Sequence, residues 1–205
     1  MITIRRGALE DSKNFAELML MSAPYFPILF GNRIKIVLQE LFCCHANLFS
    51  FEHVHFAEID GEKVGMILGY DWQVKKLENL RTGFLLFKKI GISILGKFST
   101  LIKFNAAVGR LCDGDYYISN LATYSQYRGR GVGKRLILEA EQKAKMVRAE
   151  RIVLDVEKEN ISAINFYKNL GYKMINESSV ALQWNNGIKP CILYRMTKEI
   201  NDNFA

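Results

Sequence analysis

Residues 126–136 read Gln126-Tyr127-Arg128-Gly129-Arg130-Gly131-Val132-Gly133-Lys134-Arg135-Leu136, three alternating glycines among basic side chains. The stretch separates a run of strand character, Tyr116 to Tyr124, from a run with helical spacing, Gly131 to Arg148. Glycine lets a backbone take left-handed dihedrals and approach a ligand closely. The first turn of the helix that follows offers unpaired N–H groups at the positive end of a dipole. The combination predicts an anion cradle, with phosphate as its guest.

Two common phosphate loops do not fit these residues. A Walker loop needs GxxxxGK followed by Ser or Thr, whereas here Gly133-Lys134 is followed by Arg135, and the spacing from Gly129 is wrong. A dinucleotide-binding loop needs GxGxxG after an opening βαβ unit, and Gly129-x-Gly131 has Lys134, not glycine, at the required offset.

Working outward, Arg151 to Val156 is a nearly continuous apolar strand of the kind found in parallel or central positions. A helix is predicted from Ile161, with Ala163, Phe166, Tyr167 and Leu170 on one face, and Gly171 ends it. Tyr172 to Asn176 and Cys191 to Thr197 are the last strand candidates, with a polar loop around Asn185-Asn186-Gly187. Upstream, Ile2 and Ile4 open a first strand. Phe15, Leu18 and Met19 mark a helix that Pro24 and Pro27 are expected to end, and a second helix runs from Asn32 to about His45. Val54–Ile59 and Val64–Gly69 flank Asp60-Gly61, a strong hairpin signal.

The 205 residues, 49% apolar, suffice for one sizeable core, so residues 1–205 are read as a single domain. The amino-terminal residues lack the apolar stretch of a secretory signal, and a cytoplasmic location is expected. Cys43, Cys44, Cys112 and Cys191 have neither CxxC spacing nor histidine partners, so neither a metal site nor a disulfide framework is expected. His45, His53 and His55 have no serine or acid spaced as a triad partner.

The net charge of +7 is concentrated in one place. Between residues 72 and 112 eight basic side chains stand against Glu78 alone, so the rest of the chain is neutral. This segment, with Phe84-Leu85-Leu86-Phe87-Lys88-Lys89 near its centre, is too interrupted by lysine to span a bilayer. It reads as a helical insertion packed on the core with solvated lysines, broken at Gly83, Gly91 and Gly96. The alternative is a basic amphipathic pair of helices on a membrane surface or an anionic partner. A lid or homodimer contact is a further use for it. Nucleic acid is not expected, because no groove-reading helix or stacking motif accompanies the charge.

Arg128-x-x-Gly131-x-Gly133, with Gln126-x-x-Gly129-x-Gly131 in an overlapping register, resembles the Q/R-x-x-G-x-G/A signature of the GNAT superfamily of acyl-CoA N-acyltransferases. Asn160-Ile161-Ser162-Ala163-Ile164-Asn165-Phe166-Tyr167-Lys168-Asn169-Leu170-Gly171-Tyr172 is similar to a second signature of that family, N-x-x-A-x-x-F-Y-x-x-x-G-[FY]. The resemblance covers residues 1 to about 198, apart from the insertion at 72–112. It implies an α/β fold with a mostly antiparallel, twisted sheet of about seven strands, opened between the fourth and fifth, and helices on both faces.

The resemblance also implies a reaction: transfer of an acetyl group from acetyl-CoA, as cosubstrate, to a primary amine by direct attack. Leu121, Ala122 and Thr123 would pair their backbone with the pantetheine arm. Gly129, Arg130, Gly131, Val132, Gly133 and Lys134 would bind the pyrophosphate, with Arg128 and Lys134 adding charge, and Asn160 would touch the arm. Tyr167 stands at the position of the acid that protonates the leaving thiolate. Asp155 is the candidate base, with Glu157 on the same strand face and Asp113 and Asp115 as further carboxylates. Ordered water is the alternative. Acceptor specificity is expected in Pro24 to Asn32 and Val180 to Lys189. A CoA-binding or partner-binding module without turnover is the competing reading.

Overall fold

The structure, a computed structural model, describes residues 1–92, 98–184 and 187–200. Its sheet begins with strands β1 (Ile2–Arg6), β2 (Val54–Ile59) and β3 (Glu62–Asp71), paired antiparallel in that order. The β2–β3 joint is the Asp60-Gly61 turn, where both residues take positive φ, 51° and 81°, the conformation a two-residue hairpin of this twist demands.

Strand β4 (Asp115–Thr123) lies antiparallel to β3, and β5 (Arg151–Glu157) lies parallel to β4. A parallel neighbour needs a crossover, and helix α6 (Val132–Met146) supplies it. A long hairpin, β6 (Lys173–Trp184) and β7 (Gly187–Glu199), completes the order β1-β2-β3-β4-β5-β7-β6. The mixed, mostly antiparallel seven-stranded sheet expected from the motifs is therefore present. The hairpin exceeds the expected strands because Val180 and Leu182 alternate inward onto Leu29 and Leu193, which holds Val180–Trp184 in the sheet. The expected Asn185-Asn186 loop residues lie outside the described residues.

Helices cover both faces, and neighbouring strand residues feed opposite cores. Phe56, Met66, Leu68 and Tyr117 pack with helices α1 (Ser12–Ser22) and α3 (Ile34–Phe42). Ala57, Ile67, Tyr116, Ile118, Ile152 and Leu154 pack with α6 and with α7 (Ile161–Asn169). A short helix not anticipated from the sequence, α2 (Phe26–Phe30), contains Pro27. Proline is tolerated there because the first turn of a helix has no N–H bond to lose, so Pro27 begins a helix and does not end one.

The 72–112 segment is helical, as α4 (Trp72–Ile90) and α5 (Phe98–Ala107). Gly83 lies inside α4 and breaks nothing, whereas Gly91, at φ 78°, terminates it. Gly96 falls outside the described residues. Helix α4 seats Val74, Leu85, Leu86 and Ile90 against the α1–α3 core. Buried Thr82 accepts a hydrogen bond from the Leu48 N–H at 2.9 Å, and Glu78 meets His53 at 2.8 Å. Helix α5 lies against edge strand β6, where Leu101 and Phe104 join Val180 and Leu182.

Candidate functional site

Strands β4 and β5 pair only from Asp115–Ile118 to Arg151–Leu154, and beyond that both continue without bonding to each other. A register shift opposite Leu68 and Gly69 leaves Ser119 as an extra residue in β4, and such a bulge bends its strand away from a neighbour. The parting opens a cleft of about 630 Å³, within the span typical of small-molecule sites.

The β4 wall of the cleft presents backbone. The Tyr124 N–H donates to the Val64 carbonyl at 3.0 Å, on the β3 side. Backbone groups alternate along a strand, so the N–H groups of Leu121 and Thr123 turn the other way, into the gap. Leu121, Ala122 and Thr123 all line the cleft.

At the outer end lies the glycine cradle. Gly129 and Gly131 have φ of 76° and 81°, a region other residues enter only with strain, and a Cβ at either would meet nothing within 4 Å. The space above the loop is open. Gly131 caps α6, and the first backbone bond of that helix runs from the Arg135 N–H to the Gly131 carbonyl, which leaves the N–H groups of Val132, Gly133 and Lys134 without helical acceptors. Gly133 allows close packing: its Cβ would come within 3.3 Å of the Phe166 ring on α7.

Ten of the eleven expected binding residues line this cleft: Leu121, Ala122, Thr123, Arg128, Gly129, Gly131, Val132, Gly133, Lys134 and Asn160. Arg130 is the exception. Its guanidinium lies 5.3 Å from the centre of the Tyr127 ring. Asn160 caps α7, its carbonyl accepting the Ala163 N–H at 3.1 Å, which leaves its amide N–H₂ for other partners.

Tyr167 reaches the cleft from α7. The ring is buried between Phe166 and Tyr172, at centroid distances of 5.3 and 5.8 Å, and its hydroxyl has no hydrogen-bond partner among the described residues. Burial alone pushes the phenol above its ordinary range, so it carries its proton at neutral pH.

Asp155 has a different situation from the one expected. Its side chain is 3% exposed and both oxygens are taken. Arg195 donates from Nε and Nη2 at 2.9 Å each, Tyr117 from its hydroxyl at 3.0 Å, and Gly109 from its backbone N–H at 2.8 Å. Arg195 also donates to the Arg110 carbonyl at 2.7 Å, and Lys75 donates to the Gly109 carbonyl. The Lys75 ammonium is pushed down by burial and by the Arg195 charge. This cluster fastens the end of the insertion to β4, β5 and β7. Asp115 is committed likewise, to Arg151 at 2.5 Å and to the Cys112 N–H at 2.7 Å, whereas Asp113 is exposed and accepts from the adjacent Gly114 N–H at 3.0 Å.

Glu157, two residues beyond Asp155 on β5, also lines the cleft and has no ion-pair partner among the described residues. Burial raises its carboxyl above the ordinary range and Glu159 adds to the rise. Facing it are Pro24 and Tyr25, from the segment expected to hold specificity. Tyr25 stacks at 5.0 Å on Phe104 of α5, so the insertion braces this wall. Asn120 and Ser22, bonded to each other at 2.9 Å, line the same end and were not anticipated from the sequence. Among the described residues, no group of three or more His, Cys, Asp or Glu side chains could hold a metal ion.

The chain is similar to three curated proteins, two of which are matched over more than half of its length. It is 28% identical over 122 residues to the uncharacterized N-acetyltransferase YobR of Bacillus subtilis, a match covering 60% of this chain and 45% of that one. It is 32% identical over 133 residues to an N-alpha-acetyltransferase of Sulfurisphaera tokodaii, covering 63% and 62%. The matched region thus spans less than two thirds of either relative. Among solved structures, yncA of Salmonella typhimurium, a putative acetyltransferase with its cofactor acetyl-CoA, shares the fold at a TM-score of 0.60 and 15% identity, covering 100% of this chain and 96% of that one. The family model for acetyltransferases of the GNAT type matches residues 21–172, a span that takes in both parted strands, the glycine cradle and the Asn160 cap. With three quarters of its length matched, the chain belongs to the acetyltransferase (GNAT) family.

Proposed function

We propose that the protein transfers an acetyl group from acetyl-CoA to a primary amine by direct attack in a ternary complex. The observation that carries this reading is the parting of β4 from β5, which creates a cleft with free strand backbone along one wall, an anion cradle at its outer end and a buried tyrosine beside it. A long carrier with a pyrophosphate at one end and an amide-bearing arm fits that sequence of features. Bound acetyl-CoA supplies the activated acetyl thioester. The N–H groups of Val132, Gly133 and Lys134 hold the pyrophosphate, Arg128 and Lys134 add charge, and the Leu121 and Thr123 backbone orients the arm.

Three protein groups then serve the reaction. Glu157 takes the proton of the incoming amine, a role suited to a carboxylate whose proton affinity is raised by burial. The Leu121 N–H, which turns into the gap, stabilises negative charge on the carbonyl oxygen. Tyr167 gives its proton to the departing sulfur. Asp155 we assign to support, since every oxygen it has is engaged in holding the wall. The acceptor class is a primary amine, attracted in its protonated form by Glu157; the name of the Sulfurisphaera relative lends weight to an α-amine.

Release of free CoA thiol from acetyl-CoA in the presence of a panel of peptides, polyamines and amino acids tests the proposal. Amine-dependent thiol release with acetylated product is expected. CoA binding without turnover on any amine would replace it with a binding module. Tyr167→Phe is expected to lower kcat by about 10²–10⁴-fold with little change in KM for acetyl-CoA.

A further inference from the structure

Helix α4 has two apolar faces, and the fold uses only one. Val74, Leu85, Leu86 and Ile90 face the core. On the far side Leu77, Leu80, Phe84 and Phe87 are 79, 84, 64 and 46% exposed. At the helical rotation of about 100° per residue, these four fall within an arc of about 80°. The same rotation places Lys76 about 20° beyond one border of the arc and Lys88 about 20° beyond the other, with Arg81 next to Lys88. A helix seated on a core ordinarily turns polar residues outward. Here the outward face is an aliphatic and aromatic stripe between cationic rims. Ile92, 79% exposed after the helix end, extends the apolar character, and on α5 Ile102 and Lys103 are both exposed.

We propose that the outer face of α4 docks on an anionic lipid surface, the stripe entering the headgroup–acyl boundary and the rims meeting phosphate. Charge complementarity selects this occupant. The insertion carries the whole net charge of the chain, +7, so a second copy meeting it face to face would bring like charges together. A neutral protein groove would leave the rim lysines without a use. Leucine and phenylalanine bordered by lysine and arginine is the arrangement that binds in the plane of a membrane, whereas among the described residues no helix is long and apolar enough to cross one. The fold itself needs none of these outward side chains. The docking is also separate from acetyl transfer, since none of the stripe lines the cleft.

The test is sedimentation of the full chain with vesicles of phosphatidylcholine mixed with phosphatidylglycerol, and with vesicles of phosphatidylcholine alone. Binding to the mixed vesicles is expected to be at least about tenfold tighter, and to weaken with added salt, because part of it is electrostatic. The double variant Leu80→Ser, Phe84→Ser is expected to melt with the native protein and to lose at least about tenfold in vesicle binding, since it removes only solvent-facing apolar groups. No binding to the mixed vesicles, equal binding to both kinds, or undiminished binding by the double variant would each overturn the proposal. So would a concentration-dependent dimer that the same substitutions dissolve in the absence of lipid, which would make this face a contact between copies.

Discussion

Replacing Asp155 by Asn separates two roles that a carboxylate on this strand could have. Asn keeps the shape and can still accept from Gly109, Tyr117 and Arg195 Nη2 if its carbonyl takes the place of Oδ2. Its N–H₂ then faces Arg195 Nε, donor against donor, and Arg195 and Lys75 become two cations with no anion between them. Breaking a buried pair by removing one charge costs about 3–5 kcal/mol. Arg195 keeps 16% of its side chain in solvent, which places the expected loss at the low end, about 3 kcal/mol. For a chain of this size that corresponds to a fall in Tm of roughly 6–12 °C.

Thermal unfolding followed by circular dichroism measures this directly, alongside kcat and KM below the melting range. If Asp155 is the fastening described above, the variant melts early. It also retains turnover within about tenfold, and the acid limb of its pH profile stays where the native protein has it. A variant that melts within about 2 °C of the native protein yet loses turnover by a hundredfold or more, with the acid limb gone, would refute the reasoning and restore Asp155 as the base.

Glu157→Gln is expected to abolish the acid limb of kcat/KM, which in the native protein should lie above the usual carboxylate range because burial and Glu159 raise that carboxyl; an unchanged profile would pass the proton to water. Gly131→Ala forces a left-handed φ on a residue with a Cβ, so about 1 kcal/mol of stability should be lost and KM for acetyl-CoA should rise several-fold, readable by melting and steady-state kinetics. His55 is pushed down to about 4, chiefly by burial, with Lys143 and Arg6 adding to the effect and Glu139 opposing it. The unfolded chain therefore takes up the proton first as pH falls, and stability present above about pH 6.5 is lost progressively toward pH 4, by at most about 3 kcal/mol. His55→Phe should flatten that segment of a urea-midpoint-versus-pH curve.

What the sequence disclosed and what it withheld divide by distance along the chain. The Asp60-Gly61 turn, the Gly129 and Gly131 dihedrals and the Asn160 cap are each specified within four residues, so their chemistry is written where it acts. The Asp155 cluster is not. Its partners Gly109, Tyr117 and Arg195 are 46, 38 and 40 residues away, and only the sheet order brings β5 beside both β4 and β7. On a strand whose other residues face two cores, a carboxylate reads equally as base or as anchor. The difference lies in whether its oxygens are already occupied, which no spacing encodes. The same reasoning explains Glu157. It shares the strand and the face, and like Asp155 it lines the cleft beyond the end of the β4 pairing, but no donor from β4, β7 or the insertion reaches its oxygens among the described residues. The insertion, which departs from the family's minimal pattern, is joined to the site through the same anchor, by the Gly109 N–H on Asp155 and the Arg110 carbonyl on Arg195. Loosening that joint should therefore be felt both in the Tyr25 wall, through Phe104, and in stability, whereas changing the outer face of α4 should be felt in neither.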